Sequence, residues 1–315
     1  MEVGMVGLGR MGGGMAARLA AGGHRVVVYA RRAEQVAALV REGAVGADSF
    51  DGLVRALAAP RAVWLMLPAG AATDAALQEL SGRLAPGDLV VDGGNSNYRD
   101  SQRRAAEFAR AGLGYVDVGV SGGIWGRTEG YSLMAGGRIE ETDRLRPLFA
   151  TLAPTPDSGW GRVGGPGAGH FVKMVHNGIE YGLMEAYAEG FAVLDAKKEF
   201  DLDLADIARI WQRGSVVRSW LLDLCRAALE DRGTLDGIAP RVADSGEGRW
   251  TVDEAMDLGI SAPVITLALE RRIRSRETDP LAEKLLAAMR QRFGGHAVDS
   301  EAPRRDPPRE AESRG

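Results

Sequence analysis

The first half of the chain alternates short apolar runs with amphipathic stretches, and the second half does not. From about residue 168 to 292 the apolar positions recur at helical spacing, and no run there predicts a strand. The alternation in the first half predicts β/α units that build a parallel sheet. The strand-forming runs are residues 3–6, 25–29, 62–66, 89–92, 115–118 and 131–135. We therefore expect a Rossmann-type, doubly wound α/β domain over residues 1–165, followed by an all-α domain over residues 166–296.

Polar residues mark the segment boundaries of the second half. Two stretches rich in Asp and Gly, residues 201–206 and 231–248, are interpreted as connections between helices. Thr251 followed by Glu254 has the spacing of a helix N-cap and its third residue. Residues 297–315 are almost entirely charged residues, proline and small residues, so they bury too little apolar surface to offset the entropy of ordering. A disordered tail is predicted there.

Composition narrows the class of protein. The 315 residues are 45% hydrophobic and 26% charged, which is typical of a globular protein. With 39 Lys and Arg against 43 Asp and Glu, the net charge of -4 gives no electrostatic footprint for nucleic acid or anionic lipid. No apolar run approaches the roughly 20 residues of a membrane-spanning helix, and the N-terminus lacks a signal-peptide pattern. The single cysteine, Cys225, favours a reducing, cytoplasmic setting.

A glycine-rich loop follows the first predicted strand. Gly7, Gly9 and Gly12 form GxGxxG just before an amphipathic stretch, and this context predicts a dinucleotide site with the pyrophosphate at the helix N-terminus. A site that prefers NAD usually has Asp or Glu at the end of the second strand. Arg31 and Arg32 stand there instead, and their charges can pair with a 2′-phosphate. The cofactor is therefore expected to be NADP, with NAD left open.

A stripe of polar side chains lies at the start of the helical half. Lys173, His176, Asn177, Glu180 and Tyr181 occupy relative positions 0, 3, 4, 7 and 8, which share one face of a helix. A solvated surface stripe is the alternative interpretation of such a pattern. The neighbouring sequence favours a functional stripe.

Glycine-rich segments are expected to surround this stripe. Glycines crowd the helix approach between residues 159 and 169, where they let backbone come close to a ligand. One predicted strand ends in the loop DGGNS at Asp92, and the next is followed by Ser121, Gly122 and Gly123. Because ligands of open α/β sheets bind at the carboxyl ends of strands, these loops should face the crevice that holds the cofactor.

Five motifs together carry a resemblance to a known family. They are GLGRMG from Gly7, DGGNS from Asp92, GVSGG from Gly119, GAGHFVKMVHNGIEY from Gly167 and FGGH from Phe293. Over residues 1 to about 296 the chain resembles the 6-phosphogluconate dehydrogenases, in the short form with an abbreviated helical domain. The resemblance implies oxidative decarboxylation of 6-phosphogluconate to ribulose 5-phosphate and CO2 with reduction of NAD(P), a step of the pentose phosphate pathway.

The resemblance also implies roles for single residues. Lys173 matches the general base, Glu180 the acid that protonates the enediol carbon, and Asn177 the residue that orients the substrate hydroxyl. The residues expected to contact the cofactor are Gly7, Gly9, Arg10, Met11, Gly12, Arg31, Arg32, Leu67, Pro68, Ala69 and Asn95. The residues expected to contact the substrate are Asn95, Ser121, Gly122, Gly123, His176, Asn177, Tyr181, Arg272, Arg290 and His296. Arg290 and His296 match a C-terminal segment that family members often contribute from a neighbouring subunit.

Two positions depart from the longer family members, which have a lysine and a threonine where this chain has Ser245 and Glu247. One phosphate-binding cation is therefore missing, and Arg249 and Ser245 are the candidates to compensate. No metal is expected, because none of the four histidines stands at zinc-ligand spacing. Long apolar helices after residue 180 predict a homodimer or a homotetramer.

Two alternative functions stay open. A relative that oxidises a small unphosphorylated β-hydroxy acid without decarboxylation would share the dinucleotide half and the catalytic lysine. A catalytically silent NADP-binding sensor would share the glycine loop, but it would have no need of an amine, an amide and a carboxyl on one helix face.

Overall fold

The computed structural model describes residues 1–231, 235–294 and 297–298. Within them, an eight-stranded sheet has the order β3-β2-β1-β4-β5-β6-β7-β8. The strands are β1 Glu2–Val6, β2 Arg25–Tyr29, β3 Val45–Gly46, β4 Ala62–Leu65, β5 Leu89–Asp92, β6 Gly114–Ser121, β7 Ser132–Gly136 and β8 Trp160–Gly164. Neighbours are parallel except β6 and β7, which run antiparallel. The chain leaves β1 for β2 on one side and returns as β4 on the other, so the strand order reverses there, where such sheets bind ligands.

Helices cover the sheet and make up the second half. Around the sheet they are α1 Arg10–Ala21, α2 Ala33–Val40, α3 Phe50–Arg55, α4 Ala71–Ser81, α5 Tyr98–Arg110, α6 Gly126–Glu129, α7 Ile139–Arg144 and α8 Arg146–Leu152. After it they are α9 Ala168–Ala196, α10 Leu204–Trp211, α11 Trp220–Glu230, α12 Glu247–Asp257, α13 Pro263–Arg274 and α14 Leu281–Gly294. The predicted fold class, a doubly wound sheet followed by a helical half, is confirmed.

The strand predictions were incomplete. All six predicted strands are present, but β3 and β8 were not predicted. β3 has only two residues, and β8 is a glycine-rich edge strand of partly exposed residues, so neither contains an apolar run. Part of the glycine-rich segment that was expected to line the approach to a helix therefore also pairs with β7 as a strand. Of the predicted disordered tail, all but residues 297 and 298 lie outside the described residues.

Two boundaries predicted in the helical half were wrong. α10 begins at Leu204, inside the stretch interpreted as a connection, because the Asp203 side chain accepts a hydrogen bond from a backbone N–H of its first turn. α12 begins at Glu247, so Thr251 lies within the helix and not at its cap. The Thr251 hydroxyl instead donates to the Met174 carbonyl oxygen of α9, 2.8 Å away, and joins the two helices.

Apolar packing is concentrated around the sheet. The residues of β4 and β5 are all buried, and apolar clusters form on both faces of the sheet. The buried clusters of the helical half are smaller. Large apolar side chains are exposed on its helices, among them Ile179, Val193, Ile210, Val264, Leu267 and Leu285. In the described part of the chain, no helix combines the length and apolar character needed to span a bilayer.

A buried carboxylate organises the turn after β5. Asp92 has no exposed surface, and it accepts hydrogen bonds from Arg104 Nη1 of α5 at 3.0 Å and from Tyr115 Oη of β6 at 3.0 Å. Within its own loop it accepts from Ser96 Oγ at 2.9 Å and from the Gly94 backbone N–H at 3.2 Å. The conformation of the loop between Asp92 and Ser96 therefore depends on this ion pair and its hydrogen bonds.

Replacing Arg104 with alanine should destabilise the protein strongly. The change leaves the Asp92 carboxylate buried without its cation, which costs about 3–5 kcal/mol of unfolding free energy. Arg103 is the matched control on the same helix, because its ion pairs with Asp74, Asp100 and Glu107 are exposed. Arg103→Ala should cost less than about 1 kcal/mol. Urea denaturation measures both, and equal losses for the two variants would contradict the interpretation.

Candidate active site

Two adjoining cavities open at the carboxyl ends of the central strands. The first, of about 500 Å³, is lined by Gly9, Met11, Gly12, Met66, Leu67, Pro68, Ala69, Gly93, Gly94, Asn95, Val120, Ser245, Glu247 and Trp250. The second, of about 800 Å³, contains residues of β6, α9 and α11. Both cavities share Met11, Asn95 and Val120 in their walls. They therefore form one continuous crevice at the point where the strand order reverses.

The first cavity fits a dinucleotide. Gly7 has a φ of +88°, and a Cβ there would lie 2.4 Å from the Met66 carbonyl oxygen. A Cβ on Gly12 would lie 2.0 Å from the Gly7 carbonyl oxygen, so α1 packs closer to the strand than any side chain allows. Gly9 caps α1 without a side chain and has open space beside it. An unobstructed helix N-terminus facing a cavity suits a pyrophosphate.

The structure brings most of the predicted cofactor residues together. Gly9, Met11, Gly12, Leu67, Pro68, Ala69 and Asn95 line the first cavity. Gly7 lies in the turn beneath it, where its backbone N–H donates to the Tyr29 carbonyl oxygen at the end of β2. Arg10 is exposed and is not among the lining residues. Arg31 and Arg32 are exposed directly after β2, outside both cavities.

Glycines let α9 lie against β6 and α12. A Cβ on Gly119 of β6 would lie 2.4 Å from Lys173 Cβ. A Cβ on Gly178 of α9 would lie 2.7 Å from a methyl carbon of Thr251 in α12. The close approach buries the first turns of the helix, so Lys173 is only 7% exposed and Asn177 only 9%.

The polar stripe of α9 faces the second cavity. Lys173, His176, Asn177 and Glu180 line it together with Ser121, Gly122 and Gly123. His176 Nδ1 lies 3.4 Å from Lys173 Nζ, 3.2 Å from Asn177 Oδ1 and 3.9 Å from Glu180 Oε2. Unlike the buried lysine, the side chains of His176 and Glu180 are each 40% exposed. Solvent exposure therefore increases along the stripe, from the buried amine of Lys173 to the partly exposed carboxyl of Glu180.

Burial decides the ionisation of the amine. It lowers the pKa of Lys173 below the ordinary lysine value, although the negative charges of Glu180 and Glu247 oppose the shift. Burial also lowers the pKa of His176, and the positive charge of Lys173 adds to that effect. Burial thus shifts both groups towards their neutral forms, in which each can accept a proton.

The remaining predicted substrate residues are not in the walls of the crevice. Tyr181 is buried, its hydroxyl lies 3.3 Å from Ser245 Oγ, and the Arg272 guanidinium stacks 3.5 Å from its ring centroid. Tyr181 therefore contacts Ser245, a residue of the first cavity's wall, and Arg272 contacts Tyr181. Arg290 is exposed on α14, away from both cavities. The prediction for His296 lies outside the described residues.

Part of the crevice was not predicted from the sequence. Trp220, Leu221 and Leu224 of α11 form an apolar wall of the second cavity, and Trp250 contributes to the first. Nothing in the local pattern distinguishes these residues from core positions, because they face the crevice only through the packing of separate helices. Glu247, which the sequence had singled out as a departure at the phosphate end, is 5% exposed and lies in the wall of the first cavity.

The fold and the crevice define a dehydrogenase that uses a nicotinamide dinucleotide. Residues 2–161 match the family model described as the NAD binding domain of 6-phosphogluconate dehydrogenase. Residues 169–284 match the model of the 6-phosphogluconate dehydrogenase C-terminal domain. The chain belongs to the 6-phosphogluconate dehydrogenase family.

Relatives and a solved structure agree with this membership. The chain is 45% identical to the NAD(+)-dependent, decarboxylating 6-phosphogluconate dehydrogenase of Haloferax volcanii, over 95% of this chain and 98% of the relative. It is 34% identical to the NADP(+)-dependent enzyme of Bacillus subtilis, over 87% of this chain and 61% of the relative. The structure of Plasmodium falciparum 6-phosphogluconate dehydrogenase superimposes with a TM-score of 0.81 at 28% identity, covering 97% of this chain and 67% of that one.

Adding a methyl group at Gly119 should push α9 away from the sheet. Because the new Cβ would lie 2.4 Å from Lys173 Cβ and 2.7 Å from the Gly169 carbonyl oxygen, Gly119→Ala should cost about 1–3 kcal/mol of unfolding free energy. Gly190 is the matched control near the other end of α9, where a Cβ meets nothing within 4 Å. Gly190→Ala should be neutral or stabilise by up to about 1 kcal/mol. Thermal denaturation tests both, and an unchanged Gly119→Ala would show that the helix is not tightly docked.

Proposed function

We propose that this chain oxidises and decarboxylates 6-phosphogluconate to ribulose 5-phosphate and CO2 with a nicotinamide cofactor, in the cytoplasm. The observation that supports the proposal best is the position of Lys173. Its buried amine lies beside Asn177 and Glu180 in a cavity that shares a wall with the dinucleotide cavity. The named activity of the relatives that are similar along nearly the whole chain supports the same reaction.

Lys173 acts first, as a base. Its lowered pKa increases the fraction of neutral amine, which takes the proton of the substrate hydroxyl. Gly9, Gly12 and Asn95 would hold a nicotinamide dinucleotide in the first cavity, where it would supply the acceptor for the hydride of the same carbon. Asn177 holds the hydroxyl in line with the amine. The product of this step is a β-keto acid, and Lys173 is left as an ammonium ion.

The lysine then supports the loss of CO2. As the bond to the carboxylate carbon breaks, its electron pair moves towards the ketone, and the Lys173 ammonium donates its proton to the developing oxyanion. Glu180 protonates the enediol carbon while the neutral amine takes the hydroxyl proton back, which gives the ketose. Because the Glu180 side chain is 40% exposed, it can regain its proton from solvent before the next turnover.

Other residues hold the two ends of the substrate. Ser121, Gly122 and Gly123 bind the carboxylate end, where Gly122 and Gly123 have φ values of +132° and +54° that turn backbone N–H groups towards an anion. His176 and Asn95 bind hydroxyl groups between the ends.

Arg272, Tyr181 and Ser245 bind the phosphate end of the substrate. Arg249 is a poor substitute for the missing cation, because it is paired with Asp244 at 2.9 Å. The buried Glu247, which accepts the hydrogen bond of the Ser245 hydroxyl, would repel phosphate and so weaken its binding at this end.

A second copy of the chain would complete the site. Arg290 lies on α14, whose apolar residues Leu281, Leu285, Leu286 and Met289 are exposed, and it does not reach the crevice of its own chain. We assign these surfaces to a homodimer, with a homotetramer as the alternative. In that assembly Arg290 and His296 serve the crevice of the neighbouring subunit.

One assay tests the function directly. With 6-phosphogluconate labelled at its carboxylate carbon, the protein should release one equivalent of labelled CO2 for each equivalent of reduced nicotinamide. Lys173→Met should lower turnover by about two to four orders of magnitude, because it removes the base without removing bulk. Lys198→Met is the matched control, since Lys198 is 74% exposed beyond the other end of α9. It should keep wild-type turnover.

The same assay separates the alternatives. Reduced nicotinamide formed from a hydroxy acid without CO2 would indicate a non-decarboxylating β-hydroxyacid dehydrogenase. Dinucleotide binding without any reduction would indicate a silent sensor. Full activity of Lys173→Met would refute the assigned mechanism.

We propose that NADP is the preferred cofactor, because Arg31 and Arg32 follow the end of β2, where an NAD site usually has a carboxylate. The relatives include both NAD(+)- and NADP(+)-dependent enzymes, so the preference rests on these two side chains. Replacing both with alanine should raise the KM for NADP about tenfold or more and leave the KM for NAD nearly unchanged. Arg41→Ala, exposed at the end of α2, is the control. A lower KM for NAD in the unaltered protein would overturn the assignment.

A further inference from the structure

The N-terminus of α9 is capped by a side chain from another element, strand β6. Its first residue follows Gly167, which has no side chain to accept hydrogen bonds from the exposed backbone N–H groups of the first turn. The carboxylate of Asp117 on β6 accepts them instead, from the Gly167 N–H at 2.6 Å and from the His170 N–H at 2.9 Å. Asp117 has no exposed surface. A buried negative charge thus lies at the positive end of the helix that carries the catalytic residues.

We propose that Asp117 is a positioning residue for Lys173, acting through the N-terminus of α9 without touching the substrate. The inference rests on the proposed function. Lys173 lies six residues beyond Gly167, about 9 Å along the helix at 1.5 Å per residue. The same strand continues from Asp117 to Gly119, against which Lys173 packs, and to Ser121 in the crevice. β6 therefore contacts α9 twice: Asp117 binds its first turn, and Gly119 packs against Lys173.

Close packing leaves the helix start little freedom. A Cβ on Gly136 of β7 would lie 2.5 Å from the Gly169 backbone nitrogen and 2.7 Å from Asp117 Oδ1. A Cβ on Gly169 would lie 2.4 Å from the Asp117 carbonyl oxygen and 2.5 Å from the Met134 carbonyl oxygen. The helix start is thus confined between β6 and β7 with the carboxylate as its polar contact.

A second tether reaches the same turn from α5. Ser101 Oγ lies 2.7 Å from His170 Nδ1, and both side chains are buried. Together with Asp117, this contact restrains both the axial position of α9 and its rotation. The rotation matters because it decides whether Lys173 faces the crevice or the protein surface.

Burying a carboxylate is unfavourable unless it is compensated. Desolvation raises the pKa of Asp117, and the positive charge that His170 can carry and the backbone N–H groups oppose the shift. An apolar residue would fill the same space without that penalty, but it would leave the first turn of α9 without acceptors. The carboxylate of Asp117 therefore stabilises the start of α9 through hydrogen bonds and is not needed to fill space in the sheet.

Loosening this terminus has a predictable effect on the amine. Lys173 has His176 and Glu180 on α9 and Glu247 on α12 as charged or titratable neighbours, and its lowered pKa comes from burial. If α9 moves outward, water reaches the amine and its pKa rises towards the ordinary value. Since the neutral amine is the base, the acid-side limb of kcat/KM against pH should then move to higher pH.

The test compares two buried aspartates. Asp117→Asn keeps the shape but removes the charge and one acceptor. It should lower kcat about tenfold or more, change KM little, and raise the acid-side apparent pKa by about half a unit or more. Asp88→Asn is the matched control: Asp88 is 1% exposed and accepts from two backbone N–H groups, at 2.6 and 2.9 Å, at the amino end of β5, whereas the crevice lies at the carboxyl ends of the strands. It should lower the melting temperature without changing kcat or the pH profile.

A milder variant keeps the proposal testable if Asp117→Asn does not fold. Ser101→Ala removes only the second tether and should shift kcat and the acid limb in the same direction by a smaller factor, about twofold or more in kcat. If the folded variants lose stability but keep the wild-type kcat and pH profile, Asp117 is a structural cap and the proposal is wrong. Absence of activity in the unaltered protein would instead refute the proposed function, a separate outcome.

Discussion

The burial of a single amine between a strand and a helix is the constraint on which the chemistry depends. A lysine at the surface would be an ammonium ion at neutral pH and could not accept a proton. Because α9 lies close enough to β6 to exclude water from Lys173, burial lowers the pKa of its amine and favours the neutral form. The closeness in turn requires a glycine at position 119, since a larger residue would collide with the lysine stem.

The same packing separates two functions along one helix. Lys173 is buried, whereas Glu180, two turns later, is partly exposed, so the proposed base and the proposed acid differ in their access to solvent. The two cavities share a wall formed by Met11, Asn95 and Val120. This wall places the polar face of α9 beside the first cavity.

Local patterns predicted most of the fold and much of the site. The apolar runs, the glycine loop after β1 and the polar face of α9 are each encoded by neighbouring residues, so sequence spacing was enough to find them. β3 and β8 were not predicted, because they are stabilised by pairing with neighbouring strands and their own residues form no apolar run. Thr251 was misread as a cap because its hydroxyl serves a contact with α9 that lies 77 residues away in sequence. Asp117 looked like an ordinary strand residue for the same reason, since its partners lie in another element.

The ionisation of Lys173 is the most direct measure of the arrangement. The chain has four lysines, and the other three, Lys197, Lys198 and Lys284, are exposed. With lysine labelled by 13C at Cε, NMR can therefore follow each amine as the pH changes, and the Lys173→Met variant assigns the missing resonance. The amine of Lys173 should titrate clearly below the other three in the unliganded protein. A midpoint equal to that of the exposed lysines would contradict a base that burial keeps neutral.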